Sequence, residues 1–497
     1  MIATDQAGAE ERLRSAFADA TATVRDDQLR HDAPVRPQGR LSGPGRGRLL
    51  IPASAAAAVL AVSIAAVTVP QSVLHAGSHG RSSNVPPVVG PAAYVVASTS
   101  GNQGFSDSIV RISLTTGRMV EPVIKLPPGQ ATAEATPDDK IICVLTDTLR
   151  RAYLTTFNVR SGVISQPIMI PAGDVNSHPL SFVITPNGRT AYVLVQPLPA
   201  GPRAPAVAGG VVPVNLVAGS VGRKITVPGA QDLVITPDGR TVYVLTQQDA
   251  SRRGAQYYGS HPVVPIDTAT NTALRPVKIS AGGLADSIAV SPDGKTIYVA
   301  TFWVDHRSAV TPISTASNTP LTPRPIWLSP YSGASLAIAP DGNTAYVYGN
   351  SGYVTPVNLH TDRVLRAIKL PQDYGCVMSK KTCEATYAWT FEIAPDSRAA
   401  YLYGPPDADV IPIDLTTGTV QAPLVVGQPP YTQIAWGSAG QGVGFSSGYL
   451  YAGLGYITSP THNAQWHGAF SEVQLATGRI KTIEMGDYWP QQIILTP

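Results

Sequence analysis

Five consecutive residues, Trp303-Val304-Asp305-His306-Arg307, gather more chemistry than any other short stretch of the sequence. A carboxylate beside an imidazole suits a metal ligand pair or a general base. Neighbours on a loop point apart more often than together, which favours a binding role, and the flanking indole and guanidinium suit one. His462 and His467 stand five apart in "HNAQWH", but zinc needs a third ligand on a defined scaffold, and none is visible. No metal site and no cofactor are expected. "GFSSG", Gly444 to Gly448, matches G-x-S-x-G in form only, since that elbow needs a strand–turn–helix setting and here it falls in a strand repeat. No catalytic set can be assigned. Cys376 and Cys383 bracket "VMSKKT" and are expected to form a disulfide if the segment lies outside a membrane. Cys143 reads as a buried, inert thiol.

What positions these residues is a repeat. "ATPDDKIICVLT" from Ala135, "ITPNGRTAYVLV" from Ile184, "ITPDGRTVYVLT" from Ile235, "VSPDGKTIYVAT" from Val290, "IAPDGNTAYVYG" from Ile338 and "IAPDSRAAYLYG" from Ile393 say nearly the same thing. A degenerate copy, "IAWGSAGQGVGFSSG", begins at Ile434. In each, an apolar strand ends at a Pro-Asp/Asn-Gly turn and a second strand leaves it. Asp139 and Ser397 replace the glycine, so those two turns should be looser. Between the hairpins lie pieces such as "VVPIDTATNTALRPVKI" from Val263, in which a third strand meets a polar turn and a fourth strand.

Four strands per unit, at a period of about fifty residues, is the pattern of a β-propeller blade. The inner strands are apolar on both faces, as sheets packed face to face require. "QQIILTP" reads as a first strand without its hairpin partner, and "AAYVVAST" from Ala92 as a second strand without its first. Joined, they complete one blade and close the ring without a free sheet edge. Second strands fall near Tyr94, Cys143, Tyr192, Tyr243, Tyr298, Tyr346, Tyr401 and Phe445. The expectation is an all-β propeller over residues 92–497 with eight blades, or seven if the Ile434 copy is an insertion.

The hairpins then share one face, and the long insertions fall on the other. These are "PLPAGPRAPAVAGG" from Pro197, "QQDASRRGAQYYGSHP" from Gln247, "TFWVDHRSAV" from Thr301 and "SGYLYAGLGYITSPTHNAQWHGAF" from Ser447. Loops on a rigid scaffold are where binding residues concentrate. The candidate ligand-binding residues are therefore Tyr257, Tyr258, His261, Trp303, Asp305, His306, Arg307, Trp466 and His467, with Tyr451 and Tyr456 beside them.

The "PDGxTxYV" units, with "YVLT" and "YVAT" among them, resemble the YVTN-type β-propeller repeats of bacterial and archaeal surface proteins. The resemblance covers residues 92 to 497. It implies a surface or extracytoplasmic propeller that binds or scaffolds. Related propellers include lactonases and quinoprotein-like dehydrogenases, and no motif of theirs carries over to a residue here.

The first part of the chain is of another kind. Residues 1–48 hold one short amphipathic pattern, "AEERLRSAFADATATVRDDQLR", and a Pro/Gly/Arg-rich stretch that builds no core. Leu49 to Pro70 is 22 residues without a charge, enough for a helix to cross a hydrocarbon core of roughly 30 Å. Arg40, Arg46 and Arg48 precede it, and no Lys or Arg follows until Arg81. The positive-inside rule puts the N-terminus in the cytoplasm and the propeller outside, on a single-pass anchor with residues 71–91 as an extracytoplasmic linker. A cleaved signal peptide is the competing reading.

Composition agrees with a strand-and-turn protein: 45 glycines, 45 prolines and only 14% charged residues. A net charge of +3 gives no footprint for nucleic acid. Together these features point to a membrane-anchored, extracytoplasmic propeller that binds a protein, glycan or cell-wall ligand. The alternative is an extracytoplasmic enzyme of lactonase or quinoprotein-dehydrogenase type. A third possibility is a receptor that signals through its tail.

Overall fold

The structure, a computed structural model, describes residues 83–101, 104–148, 151–171, 177–197, 209–246, 262–279, 284–303, 307–329, 335–349, 352–371, 377–379, 382–384, 390–404, 409–426, 433–434, 443–446, 448–457 and 466–496. All fall within one unit, His79–Pro497. The proposed membrane helix, Leu49 to Pro70, lies outside the described residues. Among the described residues no helix is long and apolar enough to cross a membrane.

Eight antiparallel sheets of four principal strands follow one another along the chain. Blade 1 opens with its first strand at Gln130–Ala135, blade 2 at Ser177–Ile184, blade 3 at Ala230–Ile235 and blade 4 at Leu284–Val290. Blade 5 opens at Ser335–Ile338, blade 6 at Thr390–Ile393 and blade 7 at Gln433–Ile434 with Val443–Ser446. Blade 8 is the composite. Its first strand, Trp489–Thr496, pairs with Ala92–Gly101, with Tyr94 opposite Ile494 and Val96 opposite Gln492. Gly104–Ser113 and Arg118–Lys125 complete it.

The core is divided among eight blade-to-blade interfaces, each with its own apolar cluster. The second strand of blade 2 shows why. Ala191, Val193 and Val195 pack with Cys143, Leu145 and Leu154 of blade 1. Tyr192 and Leu194, on the opposite face, pack with Leu233, Val242 and Val244 of blade 3. The same arrangement runs through every pair to blades 7 and 8, where Tyr451 and Phe470 meet Val95, Val110 and Ile493. Blades 8 and 1 close the ring, with Tyr94, Val96 and Ile494 against Ile142, Val144 and Phe157. The ring therefore has eight blades.

A second recurring device joins second to third strands. Tyr192, Tyr243, Tyr298, Tyr346 and Tyr401 stand opposite Pro213, Pro265, Pro312, Pro356 and Pro412. Two of these tyrosines also reach the next blade: Tyr192 Oη donates to Asn271 Oδ1 at 2.8 Å and Tyr243 Oη to Asn318 Oδ1 at 2.7 Å.

Two expectations need correction. The turns at Asp139 and Ser397 are not looser than the glycine turns. Both residues adopt the left-handed conformation, at φ 54° and 60°, close to the 70° of Gly239. Their amides also donate across the turn at 2.8 and 2.9 Å, as Gly239 does at 2.7 Å. In blade 7, Phe445 belongs to the first strand and not the second. The hairpin turns at Gly448, φ 84°, so that Phe445 pairs with Leu450. The second strand is Tyr449–Ile457, paired with Trp466–Gln474. Much of what reads as a long insertion from Ser447 is thus blade, and Tyr451 is buried in the interface with blade 8.

Candidate functional site

The two faces of the ring differ in kind. On the hairpin face the Thr/Ser-Pro-Asp motif satisfies itself. Thr236 Oγ1 donates to Asp238 Oδ1 at 2.6 Å and accepts from Thr241 N at 3.2 Å. Ser291 repeats this with Asp293 and Thr296. Lys140 and Thr136 hydrogen-bond the Asp138 carboxylate and bring its pKa down to about 2. The turns between third and fourth strands bond back to the hairpins, Thr268 N to Arg240 O and Thr315 N to Lys295 O, both at 3.0 Å. Successive hairpins nest: a Cβ on Gly239 would lie 2.8 Å from Pro186 Cδ. This face is uniform, short-looped and internally bonded.

The opposite face carries the unequal connections. Trp303 follows directly on the second strand of blade 4, Thr296–Phe302, and its amide donates to Arg307 O at 2.8 Å, closing the connection between them. The Trp303 indole is buried, with a ring centroid 4.8 Å from that of Trp327 on the outer strand Ile326–Leu328. The Arg307 guanidinium lies 5.5 Å from the Trp303 ring and 5.1 Å from the Trp327 ring, within cation–π range of both. Trp327 is 44% exposed. Sequence reasoning missed it. The signal was the alternation "PIWL", in which Ile326 and Leu328 turn inward to blade 5 and leave the indole outward.

Of the other candidates, Tyr257, Tyr258, His261, Asp305 and His306 lie outside the described residues. Trp466 and His467 open the third strand of blade 7, and His467 Nδ1 is 3.8 Å from Asp487 Oδ1. The structure thus brings Trp303 and Arg307 together, while His467 belongs to another blade. Cys376 lies outside the described residues; Cys383 sits in a small hairpin opposite Met378. Cys143 is fully buried, and burial pushes its thiol up to about 12.

The inner strands carry carboxyl groups with displaced pKa values. Burial raises Glu134 to about 7. Asp232 rises to about 6, chiefly through burial and in small part through the nearby charge of Asp286, against the pull of hydrogen bonds from the Leu233 and Ile288 amides. Ile288 is in blade 4, so Asp232 is a clamp between neighbouring first strands. Gln492 does the same at the closing seam: its Oε1 accepts from Ala133 N at 2.8 Å and its Nε2 donates to Ala133 O at 2.6 Å. Among the described residues, no group of three or more His, Cys, Asp or Glu side chains could hold a metal ion.

No family model matches the sequence, and no curated protein matches it. Solved structures do. Apo AztD from Citrobacter koseri is similar at 12% identity, over 82% of this chain and 98% of that one, with a TM-score of 0.54. The dihydro-heme d1 dehydrogenase NirN in complex with DHE is similar at 12% identity, over 86% and 78%, with a TM-score of 0.51. The periplasmic gluconolactonase PpgL of Pseudomonas aeruginosa matches at 15% identity, over 82% and 99%, with a TM-score of 0.43. At such identities the likeness concerns the propeller fold alone.

Proposed function

We propose that the chain is a single-pass membrane protein displaying a YVTN-type propeller outside the cell, and that it binds a protein, glycan or cell-wall polymer through its loop face without catalysing a reaction. The observation that carries this reading is the asymmetry of the faces. One is occupied by hairpins that satisfy their own polar groups and one another. The other holds an indole pair held beside a guanidinium, with Trp327 left outward, the kind of rigid aromatic anchor on which binding energy concentrates. The charge-free run Leu49 to Pro70, with arginines on one flank only, supports the anchor and its orientation.

The second reading, an extracytoplasmic enzyme, draws on Glu134 and Asp232, whose pKa values fall near neutrality as those of acid–base catalysts do. The bonds Asp232 makes to two backbone amides favour a structural role for it.

Binding of the purified full chain to isolated cell-wall polymer, to glycan arrays and to surface-protein extracts tests the proposal. Trp327→Ala and Arg307→Ala should weaken retention at least about tenfold while thermal melting stays close to wild type. Retention unchanged in both variants would remove the loop face of blade 4 from the account.

A further inference from the structure

The residues just ahead of Ala92 are part of the ring's construction. Ser83 and Asn84 pair with Ile164 and Val163, adding a strand to the outer edge of blade 1. Val85 N then donates to Gly162 O at 3.0 Å, and Leu114 N of blade 8 donates to Pro91 O at 3.0 Å. Val85 and Val88 pack against the apolar cluster shared by blades 8 and 1. In nine residues the chain crosses from the rim of blade 1 to that of blade 8, over the interface that joins the closing blade to blade 1.

Beneath this crossing lies a departure from the repeat. Where blades 2 to 6 place proline opposite the second-strand tyrosine, blade 8 places Arg111 opposite Tyr94. Arg111 is wholly buried. Its Nη1 donates to Pro86 O of the crossing segment and its Nη2 to Pro122 O at 2.9 Å. Its Nε has no hydrogen-bond partner. The Glu121 charge offsets part of the cost of burying this cation, but its direct bonds are to backbone carbonyls, and opening returns it to water. Apolar packing and the pairing to blade 1 pull the segment down, while arginine hydration pulls the other way.

We propose that residues 83–91 are a strap that locks the ring at its closing seam, and that the interface between blades 8 and 1 loosens when the strap lifts. Ala92–Gly101 continues directly from the strap, and Gly104–Ser113 holds it through Arg111, so strap and seam strands open as one unit. Whatever grips the chain ahead of Ser83 acts on this seam before any other.

Glycines supply a matched test. Gly162 has φ 71°, and a Cβ there would run into the Val85 carbonyl of the strap. Gly219, φ 63°, ends the equivalent turn of blade 2 and has nothing within 4 Å of its added Cβ. Gly162→Ala and Gly219→Ala thus carry the same backbone strain, and only the first expels the strap. In the full chain, native-state hydrogen exchange at residues 93–97 and 109–112 should accelerate at least about tenfold in Gly162→Ala and not in Gly219→Ala. Val85→Pro, which removes the bond to Gly162 O and leaves the turn intact, should do the same if the first variant folds poorly. Acceleration confined to residues 83–90 in Val85→Pro, or equal seam exchange in the two alanine variants, would show the segment to be a passive covering.

Discussion

Glu134 lies in the first strand of blade 1, where its charge bears on the stability of the ring. Its carboxyl stands at about 7, raised by burial from an ordinary value of 4.5. A carboxyl that holds its proton more tightly in the folded chain favours folding fully below about pH 4.5. That contribution is lost as pH rises toward 7, because ionisation then costs more in the folded state. Glu134→Gln keeps the shape without the charge. Its melting temperature should exceed wild type at pH 8 by the equivalent of about 1–3 kcal/mol, and the difference should vanish near pH 4. A constant offset across that range would mean that Glu134 acts through packing and not through its proton. Across the strand pair lies Cys143, whose thiol the Glu134 charge raises further beyond the effect of burial. That thiol was legible as inert because the sequence sets it where other blades have a core residue.

Hairpins are the element on which the fold was readable, since Pro-Asp-Gly encodes a turn by backbone chemistry that needs no tertiary context. Asp139 shows where the code is broken at a cost: it holds φ 54° with a side chain, a conformation about 1 kcal/mol or more unfavourable for non-glycine residues. Asp139→Gly should therefore raise stability by about 0.5–1 kcal/mol in thermal or urea unfolding. Ser397→Gly should gain less, because Ser397 Oγ accepts from Asp341 N of blade 5 at 3.0 Å and that bond would go. Equal gains would show that the bond between blades 5 and 6 contributes nothing. Blade 7 was misread for a related reason. "GSAGQG" offers turn residues in abundance, yet the turn forms at Gly448, and only the pairing of Val443–Ser446 with Tyr449–Ala452 decides between them. Trp327 escaped notice because its exposure depends on which face of an outer strand meets the next blade. The indole pair is assembled from a second-strand end and a fourth strand, a proximity that no local pattern records.

At the scale of the whole ring, closure is the property from which the rest follows. The eight apolar interfaces are nearly equivalent, but only the two that flank composite blade 8 contain residues from both ends of the described chain. The interface with blade 1 carries polar ties as well. Asp107 Oδ2 accepts from Ala131 N at 2.7 Å, Gln492 bonds both backbone groups of Ala133, and Arg111 reaches the strap. Closure by strand pairing was legible in the sequence, because "QQIILT" and "AAYVV" are halves of one pattern. The polar ties were not, because each depends on a register that only the assembled seam provides. Gln492→Ala leaves the Ala133 amide and carbonyl without their partners in a half-buried site. It should lower stability by about 1–3 kcal/mol with the ring still closed and monodisperse. Deletion of Gln491 to Pro497 is a different event. It removes Ile493 and Ile494 from the interfaces with blades 7 and 1 and leaves Ala92–Gly101 with an unpaired edge. An edge strand of that length recruits other chains. The truncated protein should therefore melt far below Gln492→Ala and scatter light at concentrations where that variant stays soluble. If the deletion and the point substitution behaved alike, the final strand would be an ornament on a ring held shut by its other six interfaces.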